Sequence, residues 1–114
     1  VRTLVEALCL QIDQIKASHI DIILIDDASA SSYKTMNQFT HPKVQLIQLA
    51  HNIGRSKIRN AFLHYTNATH LLFLDGDSTV ANPFFLQKIS DRLNLLFVFR
   101  ICFDSQGFHF LKVY

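Results

Sequence analysis

The stretch that decides the fold is Ile20–Ser29, with the sequence IDIILIDDAS. From Ile20 to Ile25 it is apolar and rich in β-branched residues, with Asp21 as its only polar member, and it then stops on Asp26 and Asp27. A short apolar run of this kind is typical of a strand that is buried on both faces of a parallel sheet. The stretch therefore predicts a central strand of an α/β fold, with two carboxylates at its end.

A helix is predicted on the N-terminal side of this strand. Between residues 2 and 16 the apolar residues recur every three or four positions, which is the period of an amphipathic helix. The polar residues between them, which we assign to the face in solvent, are Gln11, Asp13, Gln14 and Lys16.

Helices and strands continue to alternate after the decisive strand. Strands are predicted at 44–49 and 70–74, and helices at 56–67 and from Asn82, as N-cap, to Leu93. Such alternation predicts an α/β domain whose first three strands are parallel. Three further segments are assigned from turn residues and apolar runs: a loop at 28–42 with a short helix near 33–39, and two strands at 95–103 and 108–113 that form a hairpin.

A second pair of acids follows the third predicted strand, in HLLFLDGDST at residues 70–79. Because ligands bind at the carboxyl ends of parallel strands, Asp26–Asp27 and Asp75–Asp77 are expected to face one crevice. Asp75 and Asp77 offer the hard oxygen ligands that suit Mg²⁺ or Mn²⁺ bound to phosphates. The same letters fit the D-x-D-x-T pattern of aspartyl phosphatases, in which Asp75 would be the nucleophile and Asp77 the acid/base, so both interpretations stay open.

Composition narrows the class of partner only by exclusion. The formal charge of +2 lacks the basic excess typical of nucleic-acid surfaces, and no apolar stretch approaches the roughly eighteen residues that cross a bilayer. Cys9 and Cys102 lie far apart in apolar segments and are expected to be buried thiols in a reducing compartment. The chain starts at Val1 and stops at Tyr114 within an apolar segment, so we expect a single partial domain over 1–114.

Three motifs in order resemble one known family. They are IDIILIDDAS (20–29), NIGRSKIRN (52–60) and HLLFLDGDS (70–78), with NPFFL (82–86) behind the last. Together they resemble the nucleotide-binding half of family 2 glycosyltransferases of the GT-A fold, over about residues 1–93. The resemblance implies a Rossmann-like three-layer domain that transfers a sugar from a nucleotide-diphosphate sugar, most commonly a UDP-sugar, to an acceptor glycan, lipid or protein.

The resemblance also implies roles for individual residues. Asp27 would receive the base, with Ser29 ordering its loop, and Arg59 would lie near the same base. Asp75 would contact the ribose or the water shell of the metal, and Asp77 would ligate Mn²⁺ or Mg²⁺ against the diphosphate. Work in cell-surface polysaccharide biosynthesis is implied as well, in the cytoplasm or peripherally at the inner face of the membrane.

The sequence departs from the family in two places. The family's first strand, which lies in the middle of the sheet, would precede the first helix and is absent here, and residues 94–114 match the family poorly. The general base is therefore expected outside this chain, and the piece alone is expected to be marginally stable and inactive as a transferase. Two alternatives to the transferase remain: an aspartyl phosphatase of the haloacid dehalogenase type, and an inactive nucleotide-binding fragment.

Overall fold

A computed structural model of the chain describes residues 1–16, 19–31, 38–93 and 97–103. In chain order the elements are α1 (Arg2–Ile15), β1 (Ile20–Asp26), β2 (Val44–Gln48), α2 (Arg55–Ala61), a single 3₁₀ turn (Phe62–His64), β3 (His70–Asp75), α3 (Phe85–Leu93) and β4 (Phe97–Phe103). The predicted alternation of helices and strands is confirmed through Leu93.

The strands form one parallel sheet in the order β2-β1-β4-β3. β1 pairs with β2 from Ile22 opposite Val44 to Asp26 opposite Gln48. On its other side β1 pairs with β4, which in turn pairs with β3. The predicted α/β class with a mostly parallel sheet is thus confirmed.

Helices cover the sheet on both faces, which gives three layers. Alternate residues of a strand point to opposite faces, so Ile22 and Leu24 bury one face of β1 while Ile23 and Ile25 bury the other. The first face packs against Leu4 and Leu8 of α1 and Leu86 of α3. The second packs against Ile58 of α2 and Phe62 of the 3₁₀ turn. Because both faces are covered, the continuous apolar run of β1 needs no polar side.

The helices differ from their predicted form at three points. Gln11 was assigned to the solvent face of α1, but it is only 5% exposed and bonds α3. The second helix was predicted to reach residue 67, but α2 ends at Ala61 and continues only as the 3₁₀ turn. The third begins at Phe85 because Asn82 first closes a turn, its Oδ1 accepting the Phe84 N–H at 2.9 Å. The short helix predicted near 33–39 falls largely outside the described residues.

β4 lies in the centre of the sheet, where the sequence led us to expect a gap. Its residues align with Ile20–Asp26 on one side and with His70–Asp75 on the other, so both of its edges are occupied. β4 therefore pairs with β1 and β3 rather than in the predicted hairpin, whose second strand at 108–113 lies outside the described residues. The mostly apolar sequence of β4, FVFRICF, is typical of an interior strand of a parallel sheet.

Candidate functional site

The first candidate element is the turn that follows β1. Asp26 is fully buried and Ser29 is 4% exposed, and the Ser29 N–H donates to Asp26 Oδ1 at 2.8 Å. Ala28 allows this sharp return of the chain by adopting a left-handed backbone, with φ of 60°. The Ser29 backbone amide thus closes the turn onto the Asp26 carboxylate. Among the described residues, the buried Asp26 Oδ2 and Ser29 Oγ have no hydrogen-bond partner.

Asp27 joins the β1 turn to the turn that precedes α2. Its Oδ1 accepts the Ile53 N–H at 2.7 Å and its Oδ2 accepts the Gly54 N–H at 3.0 Å. In return, Asn52 Nδ2 donates to the Asp27 carbonyl oxygen at 3.2 Å. Adjacent carboxylates are costly to bury unless donors reach them, and here Asp26 and Asp27 each receive backbone N–H groups.

Gly54 completes this junction through its backbone conformation. Its φ is 80° and its ψ is 162°, a region that is open essentially only to glycine. A Cβ built on Gly54 would meet no atom within 4 Å, so the glycine is needed for its dihedral angles and not for space. This conformation lets the amides of Ile53 and Gly54 face the same carboxylate.

The second candidate element is the turn that follows β3. The Ser78 N–H donates to the Asp75 carbonyl oxygen at 3.0 Å, which closes a tight turn over Gly76 and Asp77. Gly76 is buried, Asp75 is half-buried and Asp77 is exposed. Asp77 is therefore the most accessible acid of the two turns, whereas Asp26 and Asp27 lie beneath the surface.

The sheet brings the two turns to the same edge. Ile25 and Asp75 both align with Cys102 of β4, so β1 and β3 end within one residue of each other. Neighbouring strands are about 4.8 Å apart, and with one strand between them the two strand ends are about 10 Å apart. The predicted convergence of the acid turns on one crevice therefore agrees with the topology of the sheet.

Arg59 lies on α2, on the sheet face that this helix covers. Its guanidinium carbon is 6.0 Å from the centre of the Phe73 ring, which belongs to β3. Phe73 precedes Asp75 by two residues, or roughly 7 Å along a strand. The exposed Arg59 thus lies beside β3, the strand that carries the second acid turn.

The described residues show no ready-made metal cage. Within ranges 1–16, 19–31 and 38–93, no group of three or more His, Cys, Asp or Glu side chains is arranged to hold a metal ion. A cavity of about 200 Å³ is present, but it lies at the opposite, amino edge of the sheet, between Asp21, Lys43, Tyr65 and Thr66. The acid turns lie outside this cavity. They are the candidate site because of the chemistry of their side chains and not because of a cavity.

The comparisons with known proteins settle the family. The profile of Glycosyl transferase family 2 matches residues 1–95, which is most of the chain. The chain belongs to glycosyltransferase family 2. Searches of curated proteins and of solved structures found no significant match.

Membership of family 2 associates the chain with glycosyl transfer in general. It leaves the phosphatase interpretation of Asp75 and Asp77 without support, because the match includes both acids and the two βα units before them. The roles of Asp27, Ser29, Arg59, Asp75 and Asp77 remain predictions. In the part of the chain that the structure describes, no helix has the length and apolar character of a membrane span.

Two contacts that shape this edge of the family 2 domain could not be predicted from the sequence. One is the pairing of Asp27 with the Asn52–Gly54 turn, which joins residues some 26 positions apart. The other is Gln11, whose Nε2 donates to the Asn82 carbonyl oxygen and whose Oε1 accepts the Leu86 N–H, both at 3.0 Å. Gln11 thereby fixes the start of α3, just after the loop that leaves Asp77.

Proposed function

We propose that this chain binds the nucleotide-diphosphate half of a sugar donor at the carboxyl edge of its sheet, as the donor-binding part of a metal-assisted glycosyltransferase. One observation supports the proposal: the Asp26–Ser29 and Asp75–Asp77 turns follow β1 and β3, whose ends lie at the same edge of one parallel sheet, about 10 Å apart with β4 between them. Ligands of open α/β sheets bind in such a crevice. A UDP-sugar is the donor that we assign, and the acceptor is a glycan, lipid or protein.

In this proposal, the nucleoside lies against the junction of Asp27 with the Asn52–Gly54 turn. Both oxygens of Asp27 already accept backbone amides, at 2.7 and 3.0 Å. A carboxylate has about four acceptor positions, so Asp27 retains capacity for one N–H group of a base. Its two internal bonds would hold that acceptor in a fixed direction, with Ser29 ordering the loop behind it.

The diphosphate would lie toward β3, between Arg59 and the Asp75–Asp77 turn. Arg59 supplies positive charge beside Phe73. A cation there favours a ligand that carries negative charge. Asp75, which is half-buried at the strand end, is assigned to the ribose or to the water shell of the metal.

The exposed Asp77 fits a role as ligand to Mn²⁺ or Mg²⁺. Gly76 has no side chain, which allows a ligand close to the main chain beside it. Mg²⁺ in phosphate sites keeps several waters and takes only one or two protein carboxylates, so Asp77 with Asp75 would be sufficient to hold it against the diphosphate. When bound, the cation would neutralise charge that develops on the departing diphosphate.

The direct test is calorimetric titration of the full chain with UDP and with GDP, each with and without Mn²⁺. We expect UDP to bind with Mn²⁺, and Asp77→Ala to weaken that binding at least tenfold, or about 1.4 kcal/mol. Equal affinity of wild type and Asp77→Ala for UDP with Mn²⁺ would refute the assignment of the metal. Absence of any nucleotide binding by a folded wild-type chain would refute the donor site as a whole.

Asp91→Ala is the matched control for the loss of one acid. Asp91 is exposed on α3 and bonds only its helix neighbour Gln87 among the contacts described, at 2.6 Å. The adjacent Ser90 contacts His19, which immediately precedes β1, so this part of α3 lies toward the amino edge. We expect unchanged UDP affinity in Asp91→Ala.

Turnover of a UDP-sugar and hydrolysis of p-nitrophenyl phosphate, measured in parallel, separate a transferase from a binding-only chain and from a phosphatase.

A further inference from the structure

The cavity of about 200 Å³ at the amino edge of the sheet lies between the starts of two strands and the turn that follows the 3₁₀ helix. Asp21 and Ile23 point to the same face of β1, which is the face that α2 and the 3₁₀ turn cover. This helical layer ends at His64, and the next residues, Tyr65 and Thr66, form one wall of the cavity. The first residues of β1 and β2 form the other wall.

The strand wall carries one positive and one negative charge. Lys43 Nζ donates to Asp21 Oδ1 at 3.2 Å, and in the described part of the chain these are the only charged residues that line the cavity. The main chain of Lys43 is fixed on both sides, because its N–H donates to His41 Nδ1 at 3.1 Å and its carbonyl oxygen accepts the Ile22 N–H at 2.7 Å. An ion attracted by either charge would meet the opposite charge beside it, so the cavity favours a neutral ligand.

The opposite wall offers hydroxyl groups and an aromatic ring. Tyr65 is 39% exposed, and its N–H donates to the Phe62 carbonyl oxygen at 2.9 Å, which fixes its main chain. Its own hydroxyl has no protein partner among the residues that the structure describes. Thr66 Oγ1 accepts the Ala68 N–H at 3.1 Å, so its hydroxyl hydrogen is left to donate elsewhere. A ligand at this wall would find a ring to pack against and two hydroxyls to bond.

These groups together match the chemistry of a sugar. Each sugar hydroxyl both donates and accepts, and the walls supply an acceptor in Asp21, a donor in Lys43 and both kinds of group in Gln45. The C–H face of a sugar ring packs well against an aromatic ring such as that of Tyr65. The volume is below the roughly 300–1,000 Å³ of sites for drug-sized ligands, so the cavity suits one sugar ring and is too small for a nucleotide.

We propose that this cavity is a second, non-catalytic site, which binds one neutral sugar unit of a glycan. Asp21 precedes Asp26 by five residues, or roughly 17 Å along β1, so a sugar bound here is not the one that leaves the proposed donor site. The inference goes beyond the proposed function and does not depend on it, since none of the residues that line the cavity belongs to the acid turns.

The first experiment is a nuclear magnetic resonance titration of the isotope-labelled full chain, without nucleotide. The probes are glucose, galactose, mannose and N-acetylglucosamine, with inorganic phosphate as a charged comparison. We expect at least one of the sugars to shift the amides of 21–23, 43–45 and 65–66 with saturation in the millimolar range, while 26–29 and 75–78 stay unchanged. If no sugar shifts the cavity amides, or if phosphate shifts them more strongly than any sugar, the proposal is overturned.

The second experiment repeats the titration on variants. Tyr65→Ala removes the ring and the hydroxyl, and we expect it to weaken sugar binding by about tenfold. Leu63→Ala is the matched control, because Leu63 belongs to the 3₁₀ turn and is 62% exposed but does not line the cavity. It should retain the wild-type affinity. Equal sugar affinities of wild type and Tyr65→Ala would contradict the site. If Tyr65→Ala does not fold, Gln45→Ala, at an exposed position of the strand wall, replaces it.

A last titration separates this site from the donor site. With UDP and Mn²⁺ present, the sugar should still bind with unchanged affinity, and Tyr65→Ala should bind UDP as wild type does. Displacement of the sugar by UDP would place it in the donor crevice and would overturn the second site. Sugar binding by a chain that binds no nucleotide would support the second site and refute the proposed function, and the reverse result would do the opposite.

Discussion

Asp27 and Gly54 are joined by a hydrogen bond of 3.0 Å, from the Gly54 amide to Asp27 Oδ2, although 27 positions separate them in sequence. With the neighbouring bond from Ile53, this contact makes the acid at the end of β1 the acceptor for the turn that starts α2. An acid that the motif alone assigns to a ligand thus also has an internal structural role. Substitution of Asp27 is therefore expected to affect stability as well as binding.

Asp27→Asn should lower the free energy of unfolding by about 1–3 kcal/mol. The new side-chain NH₂ group would face the N–H of either Ile53 or Gly54 in a buried position, so that two donors would meet without an acceptor. Asp13→Asn is the control, since Asp13 is exposed and its described side-chain contact is with His41. We expect that change to stay within about 0.5 kcal/mol. Urea denaturation of both variants measures the difference, and equal stability of the two would contradict a structural role of Asp27.

Gln11→Ala tests the buried link between α1 and α3. The substitution leaves the Leu86 N–H and the Asn82 carbonyl without their partner beneath the surface, so we expect a loss of about 2–4 kcal/mol. Gln14→Ala removes the same side chain from an exposed position of the same helix and should change stability by less than about 0.5 kcal/mol. Similar denaturation midpoints for the two variants would show that Gln11 contributes no more than a surface residue.

Ala28→Gly should stabilise the chain. A left-handed conformation costs a non-glycine residue about 1–2 kcal/mol, and Ala28 has φ of 60°. The greater entropy of glycine in the unfolded chain offsets about 0.4–1 kcal/mol, which leaves a net gain of up to about 1 kcal/mol. Ala30 is exposed and lies outside the left-handed region, so Ala30→Gly should only destabilise the chain, through the greater entropy of glycine in the unfolded state. A lower melting temperature for Ala28→Gly than for Ala30→Gly would contradict the left-handed turn.

The sequence predicted the elements whose structure depends on the pattern of neighbouring residues. The apolar run of β1 indicated a strand covered on both faces, and the acids after β1 and β3 indicated one edge, because parallel strands end on the same side. Gln11 was misassigned because helical periodicity only separates apolar from polar residues. Periodicity does not show whether the start of another helix packs against a polar residue, as the start of α3 does against Gln11.

The position of β4 could not be predicted in the same way. Its apolar sequence fits any strand that is buried on both faces, and its two neighbours are determined by which edges the other strands leave open. The expectation of a marginally stable piece assumed an empty centre of the sheet. With β4 in that position, β1 and β3 are each paired through a continuous ladder, and the stability of the chain stays a prediction that a melting curve tests.

Cys9 should react slowly with alkylating reagents at neutral pH. Burial, and then the nearby charges of Asp13 and Glu6, raise the pKa of its thiol to about 11. The thiolate is the reactive form, and a pKa of about 11 in place of an ordinary value near 9 lowers the thiolate fraction at pH 8 by about a hundredfold. We therefore expect iodoacetamide to modify Cys9 about a hundredfold more slowly in the native chain than in urea, as measured by peptide mass mapping. The native rate should rise tenfold per pH unit up to about pH 10.

Because the raised pKa means that the folded chain holds this proton more tightly than the unfolded chain, the contribution of Cys9 to stability should be complete below pH 9 and decline between about pH 9 and 11. Cys9→Ser is the control for that decline, because its hydroxyl does not titrate in this range. Equal alkylation rates in native and unfolded chains at pH 8 would contradict the half-buried, acid-flanked position of this thiol.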